Sequence, residues 1–215
     1  MATLAFLLDV DNTLLDNDAL KALYDARLRE IAGAARTERF WRVYEDVRAD
    51  RGIVDYPETF ARLGREIDAS LLAEIERAIY DAPFARFVFE GAFDAIAQMR
   101  VVGATVILSD GDATYQPLKI ERSGLARAVE GNVLIYPHKE ARLTEVMARF
   151  PAERYVQVDD KAALLGATKQ QLGDRVTTVH VRQGHYAEDP TPIAPDLSID
   201  RIGDLATLPP GRFAV

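Results

Sequence analysis

Leu4 to Leu8 is an unbroken apolar run of strand length that stops at Asp9-Val10-Asp11-Asn12-Thr13. A strand apolar on both faces belongs in the middle of a parallel sheet with helices on either side. Beyond it the pattern changes period. Leu20, Leu23, Tyr24, Leu28 and Ile31 recur at helical spacing after the capping cluster Asp16-Asn17-Asp18, and Gly33 is the stop. A second helix is expected over about 37–50, with Phe40, Val43, Tyr44 and Val47 on one face. Pro57 suits the first turn of a third, and Ser70 the cap of a fourth that ends before Pro83. From 16 to 85 the chain therefore reads as helices only.

Strand and helix then alternate. Helix 90–102 should turn Phe93, Ile96, Ala97 and Met99 inward. Strands are expected at 104–109, 132–136, 154–158 and 176–181, with a short one near 197–199. Helices at 114–123, 139–150, 161–172 and 202–208 separate or follow them. Such alternation argues for a parallel sheet with right-handed crossovers. The fold class is α/β: a Rossmann-like three-layer core from 1–15 and 86–215, interrupted by an all-helical insertion at 16–85.

Composition narrows the function. With 215 residues the chain can bury one substantial core, or a core plus a small inserted domain. A net charge of -8 and the lack of a dense basic run argue against nucleic acid as a partner. No cysteine is present, which excludes thiol catalysis, disulfides and thiolate metal sites and fits a reducing cytoplasm. No stretch reads as a signal peptide or is long enough to span a membrane, so the expected location is the cytoplasm. Oligomeric state is not legible.

The candidate chemistry sits where the apolar runs end, because ligands of open α/β sheets bind beyond the carboxyl ends of the strands. A carboxylate there, at Asp9 or Asp11, can be a nucleophile, a cation ligand, or both. Each later feature also has a plain structural reading. Ser109-Asp110-Gly111 is an ordinary turn, Lys139 a solvated lysine, and Asp159-Asp160 a helix cap. Their order along the chain is what favours chemistry.

Together they resemble the haloacid dehalogenase superfamily, phosphatase branch. Asp9-Val10-Asp11-Asn12-Thr13 looks like its first motif and Leu108-Ser109-Asp110-Gly111 its second. Lys139 stands where the third-motif lysine belongs, and Val158-Asp159-Asp160 resembles the fourth. The resemblance spans nearly the whole chain, and the 16–85 insertion falls where the family's C1-type cap sits. It implies a Mg2+-dependent phosphatase of a small phosphorylated metabolite. Asp9 would be the nucleophile, Asp11 the proton donor and acceptor, and Ser109 and Lys139 the groups that hold the phosphoryl oxygens and neutralise charge. Asn12, Thr13, Asp110 and Gly111 would complete the phosphate cradle. The metal ligands would be Asp9, Asp11 and Asp160, with Asp159 assisting. Asp16, Arg42, Tyr44 and His185 are the candidates for touching the substrate.

Two departures stand out. Asn12 replaces a frequent glycine, and Asp159-Asp160 is followed by Lys161 and an apolar run rather than by a further acid. A 2-haloacid dehalogenase shares the first aspartate but needs neither metal nor second acid, so Asp11 and Asp160 argue against it. A phosphomutase shares the machinery. A catalytically silent phospho-ligand-binding protein should have lost one of Asp9, Asp11, Lys139 or the last acid, and all are present.

Overall fold

A computed structural model describes residues 2–213. The chain runs β1 (Ala2–Leu8), then α1 (Asn17–Ala32), α2 (Ala34–Arg51), α3 (Tyr56–Leu63) and α4 (Ala69–Tyr80). It continues with α5 (Ala92–Val102), β2 (Ala104–Asp110), α6 (Tyr115–Arg122), α7 (Leu125–Ala128) and β3 (Val133–Tyr136). Last come α8 (Leu143–Arg149), β4 (Ala152–Asp159), α9 (Ala162–Leu172), β5 (Val176–Val181) and β6 (Leu197–Ile199). All described strand pairs are parallel, in the order β3-β2-β1-β4-β5-β6. No helix among the described residues is long and apolar enough to cross a membrane.

The two-residue period of a strand explains the layers. Leu4, Phe6 and Leu8 of β1 enter one core with α5, α6 and α7, while Ala5 and Leu7 enter another with α8. β1 is sandwiched between β2 and β4, and Leu8 lies level with Ile107 on one side and Val158 on the other. That register brings Asp9, Ser109 and Asp159 to the same edge of the sheet.

The helical insertion leaves and rejoins the core at one place. Asp16 N–H donates to Phe87 O at 2.8 Å and Phe89 N–H to Leu14 O at 3.0 Å, around an antiparallel bridge between Leu15 and Val88. Its aromatic interior continues onto the core: the rings of Tyr56 and Tyr115 lie 4.3 Å apart and the Tyr24 and Tyr115 hydroxyls 2.7 Å apart. The insertion is thus a helical cap seated on α6.

Several sequence expectations need correction. Phe93 and Ala97 face outward, Phe93 being 45% exposed, because α5 turns Ala92, Ala95, Ile96 and Met99 inward. Asp68, not Ser70, stands at the N-cap of α4. The helix expected from Lys139 opens as a 3-10 turn, Lys139–Arg142, before α8, and the last helix is a 3-10 segment, Ile202–Thr207. Single-turn elements such as Phe84–Phe87 and α7 escape detection because four residues carry no readable period.

Gly103 joins α5 to β2 where the backbone passes β1 closely. A methyl group there would lie 2.3 Å from the Leu4 carbonyl oxygen. Gly103→Ala should therefore destabilise the protein by about 1–3 kcal/mol, as overpacking does. Urea denaturation checks this, and an unchanged midpoint would refute the close approach.

Candidate active site

The strand ends build the site from the middle of the sheet outward. Asp9 follows β1 directly, and its N–H donates to Val158 O at 3.0 Å, which extends the ladder by one residue. Asp9 is 5% exposed. Lys139 Nζ donates to Oδ1 at 2.5 Å and Thr13 Oγ1 to Oδ2 at 3.3 Å. Burial pushes the Asp9 carboxyl up to about 6, and Lys139 opposes the rise while Asp159 adds to it. Lys139 is itself 1% exposed and also donates to Asp159 Oδ2 at 2.7 Å. Burial alone would lower its pKa, but Asp159 and Asp9 outweigh that and hold it above the usual lysine value.

Asp159 and Asp160 follow the same strand with different fates. Asp159 spends both oxygens, one on Lys139 and the other on the Lys161 N–H at 3.0 Å. Asp160 is as deeply buried, yet neither of its carboxylate oxygens has a hydrogen-bond partner among the described residues. Burial, reinforced by Asp9 and Asp159, drives its pKa up to about 9. One oxygen each from Asp9, Asp159 and Asp160 fall within 4.8 Å of one another. A buried carboxylate without a partner is costly, and a divalent cation with its preference for oxygen ligands would satisfy it. The donor set therefore fits Mg2+, and Asp160, unlike Asp159, has both oxygens unspent.

Ser109, 1% exposed, accepts from Gln116 Nε2 at 2.8 Å and directs its own hydroxyl to Asp110 O at 3.3 Å. Asp11 faces a cavity of about 450 Å³ between cap and core. Its Oδ1 accepts from Lys119 Nζ, and its Oδ2 from Gln116 Nε2 at 3.3 Å. Asp110, Gly111, Tyr44, Arg48 and Lys161 share that cavity. Burial would lower the pKa of Lys161, but Asp9 and Asp159 raise it overall.

Several candidates have other duties. Asn12, at φ 58°, spends its side-chain oxygen on the N–H groups of Asn17 and Asp18 and its own N–H on Leu15 O. Its Nδ2 donates to Asp18 Oδ1 at 3.2 Å, so the side chain anchors α1 in this structure. Thr13 supports Asp9 in the same indirect way. Asp110 takes the Lys139 N–H at 2.8 Å, which fixes the turn that carries the lysine. The Gly111 N–H is spent on Tyr136 O at 3.1 Å. Asp16 caps α1 through Ala19 N–H at 2.8 Å. Arg42 is exposed and outside the cavity lining; Arg48, one turn beyond Tyr44, occupies the place expected of it. His185 stands outside the lining too, held by Asp18 at 2.7 Å, while its neighbour Tyr186 accepts from Arg48 at 3.0 Å.

The structure aligns with a haloacid dehalogenase-like hydrolase of Burkholderia xenovorans LB400 at a TM-score of 0.91 and 45% identity, over 97% of this chain and 100% of that one. The chain belongs to the haloacid dehalogenase-like hydrolases. More distant members show the same fold. The HAD-hydrolase YfnB of Bacillus subtilis, a structure bound to magnesium, matches at a TM-score of 0.65 and 16% identity over 96% and 98% of the chains. The L-2-haloacid dehalogenase of Xanthobacter autotrophicus, with chloropropionic acid covalently bound, matches at 0.60 and 22% over 97% and 98%. No protein-family model matches the sequence, and no curated protein does.

Gln116 and Lys119 were not evident from the sequence. Their signal is a glutamine and a lysine on the inward face of α6, beside the buried Tyr115 and Ile120.

The orphaned Asp160 makes a measurable prediction. Added Mg2+ should raise the melting temperature of this hydrolase, since a ligand that binds only the folded state stabilises it. Asp160→Asn should lose most of that rise and Asp159→Asn less of it. Thermal scans across a Mg2+ series decide the order, and the reverse ranking would assign the ligand to Asp159.

Proposed function

We propose that this hydrolase is a Mg2+-dependent phosphomonoesterase for a small phosphorylated metabolite, with Asp9 as the nucleophile. The carrying observation is the buried, unpartnered Asp160 carboxylate beside Asp9. A haloacid dehalogenase uses no metal and would leave that group unsatisfied. The second acid, Asp11, supports the same choice, because an alkoxide leaving group needs a proton whereas a halide does not. A bound Mg2+, held by Asp9, Asp160 and the Asp11 main chain, would offset the negative charge of the phosphoryl oxygens.

The residues divide the work as follows. An Asp9 oxygen attacks phosphorus while the bond from phosphorus to the leaving oxygen breaks. Asp11 gives its proton to that oxygen. Lys139 lies against Asp9 and balances the charge on the transferred group, and the Ser109 hydroxyl turns from Asp110 O to a phosphoryl oxygen. Water then attacks the phosphorus of the aspartyl-phosphate, Asp11 takes its proton, and the bond to Asp9 breaks. Two acids are needed because the one carrying the phosphoryl group cannot also exchange the proton. The leaving group would lie in the cavity of about 450 Å³, a volume suited to a small metabolite and bordered by Tyr44 and Arg48 of the cap.

Two substitutions test this reading. Asp9→Asn should abolish phosphate release in a screen of phosphorylated metabolites with Mg2+ while leaving the fold intact; turnover near the parent rate would refute the assignment. Asp11→Asn should lower kcat by about 10²–10⁴-fold on alkyl phosphates. It should cost far less on nitrophenyl phosphate, whose leaving group needs little protonation, and equal losses on both would count against the acid role.

A further inference from the structure

Lys119 belongs to none of the family-like motifs, and burial of its ammonium needs an explanation. It is 1% exposed, one of the largest fully buried side chains, on a helix that otherwise turns Tyr115 and Ile120 inward. Burying an ammonium is costly unless a partner compensates, so an apolar residue would serve packing better. Its partner is Asp11 Oδ1, and the Tyr115 ring lies 5.3 Å from its Nζ. Gln116, one turn earlier on the same face, donates to Asp11 Oδ2 at 3.3 Å and to Ser109 Oγ at 2.8 Å. Each Asp11 oxygen therefore has its own donor, and both donors come from one turn of α6. The two side chains of the pair differ in exposure, 2% for Lys119 and 32% for Asp11. A carboxylate so open to the cavity would sample several rotamers if nothing held it.

We propose that Lys119, assisted by Gln116, is a positioning residue that fixes the Asp11 carboxylate in the orientation for proton exchange with the leaving oxygen. The proposal rests on the phosphatase reading and deepens it. Orientation is worth much here, because a displacement of about 1 Å at a reacting group can cost about 10²-fold in rate. Gln116 couples the device to the second motif. Its amide occupies an acceptor site on Ser109, which leaves the serine proton for the phosphoryl group.

Steady-state kinetics of Lys119→Met and Lys119→Arg with Mg2+ test the proposal on an alkyl phosphate and on nitrophenyl phosphate. Lys119→Met, similar in length but without charge, should lower kcat on the alkyl phosphate by about 10²-fold and on nitrophenyl phosphate by less than about tenfold, with KM little changed. Lys119→Arg, which keeps a cationic donor, should restore part of the alkyl phosphate rate. Equal losses on both substrates, or an effect confined to KM, would overturn the proposal, the latter marking Lys119 as a substrate-binding group. If Lys119→Met does not fold, Gln116→Leu removes the second donor and is read by the same split. A parent protein inactive on every phosphate ester would instead overturn the phosphatase reading and this proposal with it.

Discussion

A buried ammonium holds the strand ends together. Lys139 Nζ lies between Asp9 and Asp159, at 2.5 Å and 2.7 Å, with all three groups removed from water. Three strand-end carboxylates from β1 and β4 could not otherwise be packed side by side, since each unpaired charge carries a heavy desolvation cost. Even so the balance is incomplete. When ionised, Asp9, Asp159 and Asp160 bring three negative charges, and Lys139 and Lys161 bring two positive ones. Without a cation, burial keeps Asp160 neutral near pH 7, its pKa being about 9. A divalent cation and a dianionic phosphoryl group would cancel each other's charge, which suits a centre that must bind both and release product.

The parallel sheet converts sequence position into this proximity. Asp9 and Lys139 are far apart along the chain, yet both lie at the carboxyl edge of the sheet, where β1 ends between β2 and β4. The cap is built against the same edge. Its aromatic interior, through Tyr24 and Tyr56, packs on Tyr115 at the start of the helix whose next turn holds Asp11. Cap seating and the orientation of the second acid thus share one short helix. On the other side, Gly184 to Tyr186 tie the core to α1 and α2 through Asp18 and Arg48. Gly184 passes so close to Asn12 that a methyl group there would sit 2.5 Å from the asparagine side chain.

Where the sequence was informative, it was because an apolar run broke at a polar or charged residue. Asp9, Ser109 and Asp159-Asp160 each end such a run, and the parallel sheet follows from the alternation. Placement of side chains was harder. Arg42 and Arg48 look equivalent by composition, but only Arg48 shares the face of Tyr44, four residues earlier on α2. Asn12 and Asp110 sit inside motifs and still spend their polar atoms on the backbone, a competition that residue identity does not reveal. Gln116 and Lys119 look like surface residues because the acid that buries them, Asp11, lies more than a hundred positions away.

Under the proposed function, Asp9 carries a phosphoryl group during turnover. Mixing the enzyme with Mg2+ and a phosphate ester in heavy-oxygen water, quenching with acid within one turnover and weighing the peptides tests it most directly. The expected result is a phosphoryl group on the peptide containing Asp9, phosphate released with one heavy oxygen, and none in the Asp9 carboxylate, because water attacks phosphorus. Incorporation of heavy oxygen into Asp9 on exposure to a 2-haloacid, with no phosphoryl adduct from any ester, would contradict it. Water would then be attacking a carboxylic ester at its acyl carbon, which is the chemistry of a dehalogenase.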